Sequence, residues 1–183
     1  MGTAQTLHTP PHLQGHIAGI QLPSITHAGG ILIIGAYITP GDTAVRSQIQ
    51  AYLDNVLTEA TLANQQVIIA GDFNARLYPT DHHDPHRHMD TNDKMHQAWV
   101  QQHTLFHQGS PTSLIPHRRP HTYYNLHDTA AASGSSRIDD YLDTLPHETQ
   151  RGITVLQDIG GSDHLPLVTT IPPPGTGSHD TNQ

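Results

Sequence analysis

Cysteine is absent from the 183 residues, which excludes disulfide frameworks, thiolate zinc sites and cysteine nucleophiles and leaves the redox compartment open. Positive charge is scarce: eight Lys and Arg stand against sixteen Asp and Glu, a formal charge of −8 with histidines neutral. Phosphate affinity comes largely from Lys and Arg, so this balance disfavours a nucleic-acid partner. Seventeen histidines soften that objection, because their charge depends on pH and surroundings. Long apolar runs are missing too. The longest, Ile31–Tyr37, is far short of a bilayer span. Met1–Gly15 has no apolar core of signal-peptide length, so the chain reads as soluble and not secreted by a signal peptide. The hydrophobic share of 34% is at the low edge for a compact fold, yet the length suffices for one domain with a core.

What is present centres on Val67–Asn74, Val-Ile-Ile-Ala-Gly-Asp-Phe-Asn. A β-branched run ending in glycine and two polar groups reads as a buried strand that delivers side chains to its tip. Alternation puts Asp72 and Asn74 on one face and turns Phe73 back into packing. A carboxylate beside an amide suits a phosphate and its attacking water. The same pair also suits an Asx-turn in which both groups only cap the backbone.

Along the chain, Met1–His16 carries no period and is expected to be disordered. Ile17–Leu22 and Ile31–Ile38 read as strands joined by a turn around Ala28-Gly29-Gly30. Asp42 or Thr43 caps a helix whose apolar positions are Val45, Ile49, Tyr52, Leu53, Val56, Leu57 and Ala60, one stripe at three-to-four spacing. Strand, crossover helix and strand at this spacing imply a layered α/β fold. Arg76–Asp90 holds His82, His83, His86 and His88; a metal site is one reading, but the spacing fixes no coordination geometry, and a solvated loop is preferred. Asp93–His103 is a short helix with Met95, Trp99 and Val100 inward. The one basic cluster, His117-Arg118-Arg119, falls in an irregular stretch. Thr122–Tyr124, Ser136–Leu142, Ile153–Leu156 and Leu165–Ile171 read as strands, and Pro172–Gln183 as a disordered tail.

Two further motifs give Asp72 company. Ser136-Arg137-Ile138-Asp139 puts a carboxylate on a strand, and Ser162-Asp163-His164 opens the last one. A histidine beside a scissile phosphate needs a carboxylate to fix its tautomer and support its charged form. A further carboxylate can hold a divalent metal or orient water.

Gly71-Asp72-Phe73-Asn74, Ser136-Arg137-Ile138-Asp139 and Ser162-Asp163-His164, with Tyr37 in Ala-Tyr-Ile-Thr-Pro, resemble the endonuclease/exonuclease/phosphatase superfamily over about Ile17 to Ile171. The wording is most similar to endonuclease domains of non-LTR retrotransposons. The resemblance implies a Mg²⁺-dependent phosphodiesterase, with Mn²⁺ as the alternative ion, acting on DNA. It further implies a parent polyprotein carrying a reverse transcriptase, and a nuclear location if the chain is part of a retroelement. By the same resemblance Asp72 orients or deprotonates the attacking water, and Asn74 and Tyr37 contact phosphate. His164, oriented by Asp139, stabilises the pentacovalent phosphate or transfers a proton, and Asp163 contributes to the metal site.

The family pattern opens with a strand bearing a metal-binding asparagine and another bearing a metal-binding glutamate. Nothing before Tyr37 supplies either, and Glu59 and Glu148 fall elsewhere. The sequence therefore reads as the C-terminal two-thirds of such a domain, residues 17–171, with weakened Mg²⁺ binding. The expected fold is a partial four-layer α/β sandwich of two packed mixed sheets with outer helices. A non-catalytic remnant or binding module of the same fold is the alternative.

Overall fold

Alternating burial along two β-branched segments sets the architecture. In β3 (Ile31–Tyr37) and β4 (Gln66–Asp72), Leu32, Ile34, Val67 and Ile69 face one way, and Ile31, Ile33 and Ile68 the other. The two strands pair in parallel, with Tyr37 in register with Asp72. Parallel neighbours need a crossover, and it is α1 (Thr43–Leu62), whose N-cap Asp42 accepts the Val45 amide at 2.9 Å. The expected stripe of α1 is buried at Ile49, Leu53, Val56, Leu57 and Ala60.

The computed structural model describes residues 3–23, 29–84, 86–107, 121–124, 135–146, 152–156 and 163–170. The remaining elements are β1 (Gln5–Thr6), β2 (Ile17–Leu22), α2 (Thr91–Gln102), β5 (Phe106–His107), β6 (Tyr123–Tyr124), β7 (Ser135–Ser136), β8 (Asp139–Asp143), β9 (Gly152–Val155) and β10 (Leu167–Thr170). A mixed six-stranded sheet runs β1-β2-β3-β4-β8-β5, with β9–β10 and β6–β7 as two-stranded antiparallel ribbons. Residues of α1 and α2 share one core cluster with Leu32, Ile34, Val67 and Ile69. Ile68 and Tyr141 meet Ile153 of β9 and Leu167 of β10 in a second cluster on the opposite face. The result is an α/β sandwich, as the sequence pattern implies. No helix among the described residues is long and apolar enough to cross a membrane.

The structure corrects three expectations. Residues 1–16, expected to be disordered, include β1 paired to β2 and a 3-10 turn at Pro11–Leu13, because Leu13 inserts into the main core at 1% exposure. The Arg76–Asp90 loop is not simply solvated. Asp81 is buried and its carboxylate accepts the Leu77 and Tyr78 amides, while Arg76 is buried against Asp93. The strand expected at Ser136–Leu142 breaks at Arg137 and Ile138, which separate β7 from β8. Ser162, His117–Arg119 and Pro172–Gln183 lie outside the described residues.

Candidate active site

The site is built by register. Asp72 ends β4, and its partners across the two neighbouring strands are Tyr37 and Asp139. Paired residues of adjacent strands project from the same side of a sheet, so Tyr37, Asp72 and Asp139 form a row across β3, β4 and β8 on the face away from the helices. His16, just before β2, extends the row: Tyr37 donates its amide to the His16 carbonyl at 2.8 Å, and the two rings stack with centroids 6.1 Å apart. At the other end His164 meets Asp139. Its Nδ1 lies 3.0 Å from Asp139 Oδ2 and 3.3 Å from Oδ1. An ionised carboxylate only accepts, so Nδ1 carries the proton.

Asp72, Asp139 and His164 each offer a ligand atom within 4.8 Å of the others, the one such group of three among the described residues that could hold a metal ion. Burial raises the Asp72 carboxyl above its ordinary value, and the Asp139 charge adds to the rise; hydrogen bonds from Asn74 and the nearby His164 oppose it. Two carboxylates facing each other suit a hard divalent cation, which would relieve their mutual repulsion. Each Asp72 oxygen accepts one bond from Asn74, at 2.8 and 2.9 Å, and keeps lone-pair capacity for a cation. Asp163 is exposed and stands outside the group of three.

Asn74 sits at φ 43°. Its backbone amide donates to Asp72 Oδ1, which makes the Asx-turn foreseen from the sequence. Its side-chain amide donates to Asp72 Oδ2 and to the Ile38 carbonyl, both at 2.9 Å. Those two bonds engage both amide hydrogens, so in this geometry Asn74 acts on Asp72 and leaves no hydrogen for the phosphate contact expected of it. Capping and site-building are therefore one arrangement here. Tyr37 is 45% exposed at the rim, where a bound molecule can reach it.

Several buried polar residues that hydrogen-bond the backbone around the site carry no sequence motif of their own. Thr122 is fully buried, and its hydroxyl accepts the amides of Ile138 and Asp139 at 3.3 and 3.2 Å. Its carbonyl accepts the Leu165 amide at 2.7 Å, so one residue ties Asp139 to the segment bearing His164. Arg137, 1% exposed, donates from Nε to the Asp139 carbonyl at 2.9 Å. Arg46, 0% exposed, reaches from the first turn of α1 to the carbonyls of Phe73 and Asn74. The one available signal was a polar residue on the inward face of α1 where an apolar one belongs. A cavity of about 340 Å³ opens beside the row, lined by Gly71, Asp139, Asp140, His164, Leu165 and Leu167 among others.

No family model and no curated protein matches the chain by sequence. Solved structures do match in fold. The endonuclease domain of TRAS1, a telomere-specific non-LTR retrotransposon, superposes with a TM-score of 0.63 at 16% identity, over 92% of this chain and 68% of that one. An AP endonuclease from Archaeoglobus fulgidus gives 0.62 at 17%, over 90% and 68%. The 3′ phosphatase NExo from Neisseria, bound to a product DNA hairpin, gives 0.65 at 16%, over 92% and 70%. All three are of the endonuclease/exonuclease/phosphatase superfamily.

Proposed function

We propose that this chain, which shares the fold of the endonuclease/exonuclease/phosphatase superfamily, is a divalent-metal-dependent phosphodiesterase acting on DNA, of the kind carried by retroelements. The observation that carries the reading is the convergence of Asp72, Asp139 and His164, from three separate segments, within 4.8 Å. A retrotransposon endonuclease domain among the matching folds, and a product DNA hairpin in another, support DNA as the substrate.

In this reading Asp72 accepts the proton of the attacking water or orients it, held by its two bonds from Asn74. His164 donates Nδ1–H to Asp139, which makes Nε2 the ring nitrogen that exchanges a proton with the phosphodiester. Asp139 supports the imidazolium as charge builds on the phosphate. Tyr37 donates its hydroxyl to a phosphate oxygen at the rim. Asp72 and Asp139 would hold the cation, and Asp163, which stands outside the group of three, would reach it only through a bound water. When bound, the cation supplies Lewis-acid stabilisation of the phosphoryl oxygens. Mg²⁺ uses few protein carboxylates and keeps several waters, so these donors, without the family's asparagine and glutamate, would hold it weakly; Mn²⁺ accepts the same ligands.

Nicking of supercoiled plasmid tests the proposal. Wild-type protein nicks with Mg²⁺ or Mn²⁺ and stops on EDTA addition, and His164→Ala slows the rate by about 10²- to 10⁴-fold. Folded wild-type protein that leaves plasmid intact with either ion would reduce the site to a non-catalytic member of the fold.

A further inference from the structure

We propose that Arg46 is a positioning residue of the site, acting through the turn that presents Asp72. Arg46 lies in the first turn of α1, on the helix side of the sheet, and has no exposed surface. Its Nη2 donates to the Phe73 carbonyl at 2.6 Å and the Asn74 carbonyl at 3.3 Å, and its Nε donates to Asn92 Oδ1 of α2 at 3.1 Å. Among the described residues its Nη1 is buried without a hydrogen-bond partner.

This is a poor choice for stability alone. A buried guanidinium loses its hydration, and apolar residues of similar volume often serve a core equally well or better. What the guanidinium does supply is one nitrogen, Nη2, that donates to both carbonyls that follow Asp72 while Nε anchors the plane on Asn92 of α2. With those carbonyls drawn toward α1, the peptide units are turned so that the Asn74 amide faces the other way and donates to Asp72 Oδ1. Asn74 stands at a positive φ, which asparagine adopts more readily than most residues, and the Arg46 bond to its carbonyl helps hold it there. The anchored guanidinium thus sets the orientation of a carboxylate it does not touch.

The catalytic half of the test rests on the phosphodiesterase reading; the spectroscopic half does not. Arg46→Met removes the carbonyl bonds and the charge, and Arg46→Lys keeps a charged donor but loses the Nε anchor on Asn92 that holds the guanidinium plane. Hydrogen exchange by NMR reads the turn: the Asn74 amide exchanges at least about 10-fold faster in both variants, while the Ile68 and Ile69 amides of β4 keep their wild-type rates. Plasmid-nicking kinetics read the chemistry: kcat falls about 10- to 100-fold with KM within about 2-fold. If Arg46→Met fails to fold, Arg46→Lys decides alone. Unchanged Asn74 exchange in the folded variants overturns the proposal, as does a rise spread equally over β4, which marks a purely structural residue. A wild-type protein that cannot nick DNA sinks the phosphodiesterase reading and leaves the exchange comparison to judge Arg46.

Discussion

Burial raises the Asp72 carboxyl, and the Asp139 charge raises it further, so the native protein ionises this group at a cost that the unfolded chain does not bear. A raised native value means that, between the ordinary 3.8 and the elevated native value, the folded chain holds the proton that the unfolded chain has released. Stability contributed by the protonated group is therefore present below 3.8 and is lost as pH rises through the elevated native value. Asp72→Asn removes this charge and, at every pH, one of the two bonds from Asn74. In thermal melts the difference between variant and wild type should therefore shift in the variant's favour as pH rises from about 3 to about 7. A difference that stays constant with pH contradicts this. The same strain links stability to the cation: millimolar Mn²⁺ should raise the wild-type midpoint through mass action and leave that of Asp72→Asn unmoved, as read by calorimetry.

At the scale of elements, the row depends on close packing of β3 against β4. Gly71 has φ 152°, and a Cβ there would lie 1.9 Å from the Ala36 carbonyl oxygen. Backbone cannot yield as a flexible side chain does, so Gly71→Ala should lower stability by at least about 3 kcal/mol in urea unfolding and separate Tyr37 from Asp72. A second junction joins α2 to the loop after β4. Asp93 accepts the Arg76 backbone amide at 2.7 Å and its Nε at 2.9 Å, and returns the capping bond of Asp90. Both partners are buried, so Asp93→Ala leaves a guanidinium uncompensated and should cost about 3–5 kcal/mol. A loss below about 1 kcal/mol would show that this junction bears little weight.

These elements also show what was legible beforehand. The stripe from Ile49 to Ala60 and the alternation of β3 and β4 announced themselves, because burial imposes a period that composition cannot hide. Asp72, Asp139 and His164 lie in motifs visible in the sequence, and strand register explains why Asp72 and Asp139, distant along the chain, are neighbours. Arg46, Thr122 and His16 were not found. Each acts through backbone groups that are remote in sequence: Arg46 on a carbonyl 27 residues away, Thr122 on an amide 17 away. Such partners leave no spacing to read. The order within residues 1–16 was missed for the same reason, since Leu13 is a single apolar residue whose pocket exists only after folding.

For the molecule as a whole, the proposed function sets an acidic chain against a polyanion. The row offers one answer, in which two carboxylates lie between a histidine at each end, His16 beside Tyr37 and His164 on Asp139. A cation at the carboxylates would reverse the local sign where a phosphate must sit. DNA affinity should accordingly depend on the divalent ion more than on bulk charge. In fluorescence anisotropy, replacing Ca²⁺ by EDTA should weaken binding of a short duplex by at least about 10-fold. Equal affinity in both buffers would place the duplex elsewhere on the surface.

The account rests on Asp139 and His164 working as one unit upon a phosphodiester, and a double-mutant cycle addresses that directly. Single-turnover nicking rates are measured for wild type, Asp139→Asn, His164→Ala and the double variant under one Mg²⁺ concentration. Coupled groups give a double variant whose loss falls at least about 10-fold short of the product of the two single losses, any excess over His164→Ala alone being the share of Asp139 in holding the cation. Losses that multiply, or a folded wild type that leaves the plasmid closed, would contradict it.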